Sequence, residues 1–439
     1  MGKTRKTLIA LAAVGLFAAG CSDPGATGSS SSSGQTATWA DETAKLDGVS
    51  LTIWAAQNSN TVAKKTADDF SAKTGAKINI VTVPDPYEQS VQTKVASGDK
   101  PDLAFWQPTA SELTAINAKT NLQTLDGAPF IAKYKPALKD VTGILDGKRY
   151  AALVTVPAVE GVWYNKDVFA KFGISSTPKN FDEMIADARK IKGKGGTPFY
   201  EMGGEKWATQ WWVQVQLADA AKQGLWDKVN KGQEKFTDPT ILDAIKKYKS
   251  LVDEGLFNKN ITSATFADQG KALLAGDAAM VIQVNTFFSQ LQAQSTTDEL
   301  NKKIGFFPIS PSGNVGTFIP DQSNALIAFK TGDAKREAAA RQFLTYWLGS
   351  GYAEFVKNTN TVSIEDGVDT PATVPTALSA NADSIGDSVG SMQVSAIVNP
   401  DLYLNLANML AGQQTPEKVA ETTQAQFAQL AQAIGASGF

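Results

Sequence analysis

Apolar and polar residues alternate where the body of the chain begins. In SLTIWAA (Ser50 to Ala56), Leu51, Ile53 and Ala55 fall two apart, the spacing of a half-buried strand. Val62, Thr66 and Phe70 follow four apart and Gly75 closes the run, which predicts a helix with a glycine stop. KINIVTV (Lys77 to Val83) is β-rich, and DLAFW (Asp102 to Trp106) is a short apolar strand. Thr109 and Glu112 then form a capping box that starts another helix. This strand–helix order predicts a mainly parallel sheet covered by helices, an α/β fold.

Past residue 150 the order repeats and then turns helical. Asn180 and Glu183 cap FDEMIADARKIKGKG. Asp238 and Pro239 precede Ile241, Ile245, Tyr248 and Val252, one apolar stripe. AAMVIQV (Ala278 to Val284) and ALIAF (Ala325 to Phe329) are late strands. From Lys335 the pattern is helical apart from a loop around Ser363 to Pro375. GKGGTP (Gly193 to Pro198) is not followed by the Lys-Ser/Thr pair of a phosphate loop and lacks its strand-to-helix setting, so it reads as a helix end that opens the next strand.

The chain start has a different pattern. Lys3, Arg5 and Lys6 precede an apolar run from Leu8 to Ala19, then Gly20 and Cys21. This is the layout of a secretion signal. The run falls short of the ~20 residues that span a bilayer. Cys21 after it resembles a bacterial lipobox, with Ala18 where leucine is usual; the alternative is plain signal cleavage beside an unrelated cysteine. The resemblance implies lipidation of Cys21, and the serine-rich stretch after it reads as a flexible tether.

Composition narrows the chemistry. The 439 residues include one cysteine and no histidine. An intramolecular disulfide is excluded, as are histidine-based catalysis and histidine-ligated metals. Without the three basic signal residues the balance is 38 cationic against 44 acidic residues, a net charge of −6. Such a chain has no broad attraction for nucleic acid.

Several stretches together resemble the carbohydrate-binding, maltose-binding-like branch of the extracellular solute-binding proteins of ABC importers. They are LTIWAAQNS, GDKPDLAFWQP, PKNFDEMIADARKI, ALLAGDAAMVIQV and, most specifically, GKRYAALVTVPAVEGVWYNKDVFAKFGI with Tyr164-Asn165-Lys166-Asp167, Phe169 and Gly173. The similarity runs from about Leu51 to Lys357. It implies a two-lobed periplasmic-binding-protein-like fold, with a hinge and an interlobe cleft that holds ligand. The chain would leave lobe one near Val156 and return near Val284. The expected division is signal 1–20, lipidated cysteine and tether 21–45, lobe one 46–155 with 286–335, and lobe two 156–285 with 336–439. The implied function is a lipoprotein receptor on the outer face of a bacterial membrane. It would bind a mono- or oligosaccharide as a monomer and pass it to membrane permease subunits, with no cofactor, no metal and no catalysis.

A sugar needs flat aromatic platforms and planar hydrogen-bonding side chains. Gln57 and Asn58 lie just past a strand end, the ligand edge of an α/β sheet; Asn58 can equally cap a helix. Trp106 and Gln107 end another strand, and Pro108 is expected to turn Trp106 into the cleft. Tyr87 follows two prolines. Glu160 lies in the expected crossing strand, as a ligand contact or half of a structural ion pair. EKWATQWWVQVQLADA reads as a helix on which Trp207 and Trp211 share a face, accompanied by Gln210 and Gln214; at least one of its three tryptophans belongs to the core. Glu201 is a weaker candidate. Asn285 and Phe287 follow the second crossing strand, and Asp321 and Gln322 precede a late strand, Asp321 equally being a turn residue after Pro320. Two other functions compete: a carboxylate-dependent polysaccharide hydrolase or lyase, and a receptor for a metal chelate, polyamine or anion. Absence of histidine weighs against transition-metal binding, and few clustered basic residues near these loops weigh against polyanions.

Overall fold

The structure is a computed structural model that describes residues 39–439 except Asn58 and Asp85. The signal, Cys21, most of the tether and Asn58 lie outside the described residues. Twelve strands occur among the described residues: β1 (Ser50–Ala55), β2 (Lys77–Thr82), β3 (Leu103–Phe105), β4 (Ile144–Leu145), β5 (Lys148–Arg149), β6 (Ala151–Leu153), β7 (Ala158–Asn165), β8 (Met280–Gln283), β9 (Ile304–Phe307), β10 (Thr317–Ile319), β11 (Ala325–Ala328) and β12 (Val389–Gly390). They form two five-stranded sheets and one hairpin.

The first sheet has the order β2-β1-β3-β11-β6. β1 lies parallel between β2 and β3, which explains why it is buried well beyond its alternating residues. The predicted helix after it spans Lys64–Thr74 and stops at Gly75, whose φ is 81°. A Cβ there would also meet the Asp47 carboxylate at 2.2 Å, so glycine is needed twice over. Antiparallel β11 and β6 complete the sheet.

The second sheet has the order β12-β10-β7-β8, with β9 also on β7. The long β7 is its spine. Residues Ala158–Glu160 pair with β10, Gly161–Tyr164 with β8 and Val162–Asn165 with β9. One face of β7 carries Val159 and Trp163, and the other carries Glu160, Val162 and Tyr164. Helix Trp211–Lys222 covers the second face, and both Trp211 and Trp212 lie in its core. Trp212 stacks on Tyr248 at 5.6 Å and meets Phe199 edge-on at 4.7 Å. Tyr248 comes from the predicted stripe, realised as helix Pro239–Asp253 with Ile241 and Ile245 also buried.

The pairing moves the expected lobe boundaries. Residues 286–335 were expected in lobe one, yet β9 and β10 both pair with β7. The return to the first sheet therefore comes at Pro320–Asn324, not near Val284. Residues 336–439 were expected in lobe two, yet helices Ala334–Trp347 and Tyr352–Thr359 pack on the first core. Phe70 meets Phe343 at 5.2 Å, and Phe105 meets Trp347 at 6.2 Å. The third crossing comes after Thr370 and Thr373, which still bond to Ser363 and Asn360 of the first body, and before Thr376, whose N donates to Asn301. Before it, Glu365 bridges to Tyr134 of the first body; after it, Asn381 on helix Thr376–Asp383 donates to the Val159 carbonyl at 2.8 Å. Among the described residues no helix is long and apolar enough to cross a membrane.

Candidate functional site

The two sheets are joined where β6 runs into β7 and β10 into β11. Asn324 ties these crossings together. Its amide donates to Thr155 Oγ1 at 2.8 Å and to the Val156 carbonyl at 3.2 Å, and its own carbonyl accepts from Val154 N at 2.8 Å. Its Oδ1 accepts from Asp321 N at 2.6 Å, while Asp321 Oδ1 accepts from Ser323 N at 2.8 Å. Asp321 thus builds the turn, one of its two expected roles. Gln107 reaches the same crossing, donating to the Pro320 carbonyl at 2.9 Å. Asp321 and Asn285 both line a cavity of about 230 Å³, walled also by Thr155, Ser289, Val362 and Ala382.

Glu160 is fully buried on β7. Thr317 Oγ1, opposite it on β10, donates to Glu160 Oε2, and Oε1 has no hydrogen-bond partner. None of the ion pairs among the described residues includes it, so the structural ion pair expected as its alternative is not what holds it. Burial pushes its carboxyl up to about 8, against the lowering pull of the Thr317 bond. At neutral pH the protonated form prevails, giving a group able to donate and accept.

The aromatic candidates divide. Trp106 is 0% exposed, and its indole N–H donates to the Glu112 carbonyl at 3.2 Å. Pro108 turns the chain, but the Thr109-capped helix Ala110–Ala115 brings that acceptor under the ring, so Trp106 does not face a cleft. Tyr87 is likewise buried, its hydroxyl donating to the Phe105 carbonyl at 2.7 Å and the Trp54 carbonyl at 3.2 Å. Phe287 is buried between Trp163 and Phe266. Glu201 faces the core, accepting from Met202 N at 2.8 Å and from the Tyr248 hydroxyl at 3.3 Å. Gln57 is exposed at the end of β1 and Gln322 is buried.

Trp207 and Trp211 do not share one α-helix. A 3-10 turn, Trp207–Gln210, precedes the helix that starts at Trp211. The rings still meet edge-on at 6.2 Å, and Phe266 meets Trp207 edge-on at 5.3 Å. Trp207 is half-buried; Trp211 is 4% exposed and its indole N–H has no partner.

A chain of amides surrounds this pair. Gln210 donates to the Trp207 carbonyl at 3.0 Å and accepts from Gln393 Nε2. Gln214 donates to Gln393 Oε1 at 2.6 Å and accepts from Met392 N at 2.8 Å. Ser111, on the helix after β3, reaches the Gln393 carbonyl with a long 3.4 Å bond. The two bodies therefore touch here as well as at the crossings. Gln210 and Gln214 were legible beside the tryptophans. Gln393 was not, because a lone amide in a short helix carries no pattern.

A family model described as "Bacterial extracellular solute-binding protein" matches residues 55–354. The chain belongs to that family. A binding protein of Brucella abortus (strain 2308) is 27% identical over 67% of this chain and 74% of its own. The "Diacetylchitobiose binding protein DasA" of Streptomyces coelicolor is 26% identical over 70% of each. Among solved structures, a "Chitin oligosaccharide binding protein" superposes with a TM-score of 0.71 at 23% identity, covering 87% of this chain and 98% of that one. Apo RafE from Streptococcus pneumoniae gives 0.72 at 19% identity, covering 87% and 98%. The fold is thus the two-lobed fold of solute-binding proteins, and the crossings that Asn324 joins lie between its lobes. Among the described residues no group of three or more acidic or cysteine side chains is placed to hold a metal in this solute-binding protein.

Proposed function

We propose that this protein is the sugar receptor of an ABC importer. It binds a mono- or oligosaccharide between its lobes and delivers it to permease subunits without covalent chemistry. Lobe one comprises 46–153 with 325–373, and lobe two 158–319 with 376–439. Lipidated Cys21 holds the monomer to the outer face of the cell membrane, and the serine tether lets it move there. Relatives named for diacetylchitobiose and a solved structure of RafE with raffinose support an oligosaccharide as ligand.

The observation that supports this reading is the half-exposed Trp207, braced edge-on by Trp211 and Phe266. An indole face covers the apolar face of a sugar ring. A ligand touching both lobes favours the closed arrangement and shifts the hinge equilibrium toward it. Calorimetry and thermal shift with chitobiose, diacetylchitobiose, raffinose, stachyose and glucose test the reading. A saturable one-to-one heat with a raised Tm is expected, since ligand stabilises by RT ln(1+[L]/Kd). No response to any of them, or cleavage of one, overturns it.

A further inference from the structure

Resting on the sugar-receptor reading, we infer that the left-handed turn at Lys206 is the positioning element that aims Trp207 as the platform for a sugar ring. Four non-glycine residues among those described have positive φ: Asn117, Asp146, Lys206 and Asn360. Asn and Asp enter that region at small cost, whereas a long side chain pays more. Lys206 has φ 67° and ψ −50°, and Trp207 N donates to the Glu205 carbonyl at 2.8 Å. This is the strained form of the γ-turn, which is rare. Such strain persists only where the surroundings over-determine it, and it gathers at functional sites.

The surroundings here do so. Glu201 N donates to Asn258 Oδ1 at 2.7 Å, and Asn258 Nδ2 returns a bond to the Glu201 carbonyl at 3.1 Å. Gly204 N donates to the Ala264 carbonyl at 3.1 Å. A Cβ on Gly203 would meet the Ile261 carbonyl oxygen at 2.5 Å, and one on Gly204 the Ala264 oxygen at 2.8 Å. Glu205 Oε1 accepts from Phe266 N at 2.8 Å, fixing the backbone of the ring that meets Trp207 edge-on. The loop is thus locked on residues 258–266 up to the residue before the turn. The turn then sets the direction in which the chain, and with it the indole, departs. Phe266 also meets Phe287 at 5.9 Å.

The sign of φ at residue 206 is the testable quantity. Lys206→Gly adopts the turn without a Cβ, so sugar affinity stays within about twofold and Tm does not fall. Lys206→Pro imposes a negative φ, and sugar affinity falls at least about fivefold. 5-Fluorotryptophan labelling, with Trp207→Phe assigning the signal, gives a ligand-free readout. The Trp207 fluorine resonance stays in place in Lys206→Gly and moves or broadens in Lys206→Pro. Should Lys206→Pro not fold, Lys206→Val, whose β-branched side chain disfavours a positive φ, takes its place with the same expectations. An unmoved resonance overturns the positioning claim. A moved resonance with unchanged affinity overturns the platform. If the wild-type chain binds none of the sugars tested, the sugar reading fails and the platform with it, while the resonance alone still decides what the turn positions.

Discussion

The Thr317 hydroxyl donates to Glu160 across paired strands and leaves the second carboxyl oxygen of Glu160 without a partner. A buried carboxyl held by one neutral donor and no cation favours its protonated form in the fold. Its folded value of about 8 lies above the ordinary 4.5. Between those values the native state holds the extra proton, so the contribution is fully present below about 4.5 and is lost as pH rises through about 8. Glu365 (about 8), Glu201 and Glu112 (each about 7) add in the same direction. Tm measured from pH 5 to pH 9 is expected to fall across that interval, and more shallowly in Glu160→Gln. A Tm that rises toward pH 9 would refute this account.

Asn324 joins two of the crossings, so its loss should be felt beyond one bond. Asn324→Ala removes acceptors and donors for Thr155, Val156 and Asp321. A cost of about 2 kcal/mol is expected by denaturant titration, since a buried group left unpaired adds its desolvation penalty. A change below about 0.5 kcal/mol would show that water replaces all three bonds.

Two tryptophans contrast the core with the proposed sugar platform. Trp106→Ala empties a fully enclosed space and should cost about 3–5 kcal/mol. Trp207→Ala removes a half-exposed ring, so sugar affinity should drop about tenfold or more while stability changes by less than about 1.5 kcal/mol. Denaturation and calorimetry on both variants check the contrast; equal stability losses would place Trp207 in the core instead.

Membrane attachment has its own test. Cys21→Ser leaves no thiol to lipidate, so the proposed anchor cannot form. The variant should move from the membrane fraction to the medium with its sugar binding intact. Retention on membranes would mean that something other than Cys21 holds the protein.

Much of the fold was legible because its elements carry strong periodic signals. β1 and β2, the glycine stop at Gly75 and the stripe of Ile241, Ile245 and Tyr248 appear where the pattern puts them. The lobe boundaries were not legible. β9 and β10 are four and three residues long, and such runs look alike whichever sheet they join. Only pairing with β7 decides it. The contact of Trp207 with Trp211 was legible in the density of aromatics and amides around them. The burial of Trp106 depends on a carbonyl of the following helix, a tertiary fact that no local spacing encodes.

The small cavity between the crossings has a practical corollary. With the proposed lobe boundaries its walls come from both lobes, with Ser289 on one and Val362 on the other. A change in the angle between the proposed lobes is expected to alter its shape. The only native thiol is Cys21, so in a chain lacking it a cysteine introduced at Ser289 would be the sole attachment point for a dye. Fluorescence from that dye would turn this receptor into an optical gauge of whatever nutrient it captures.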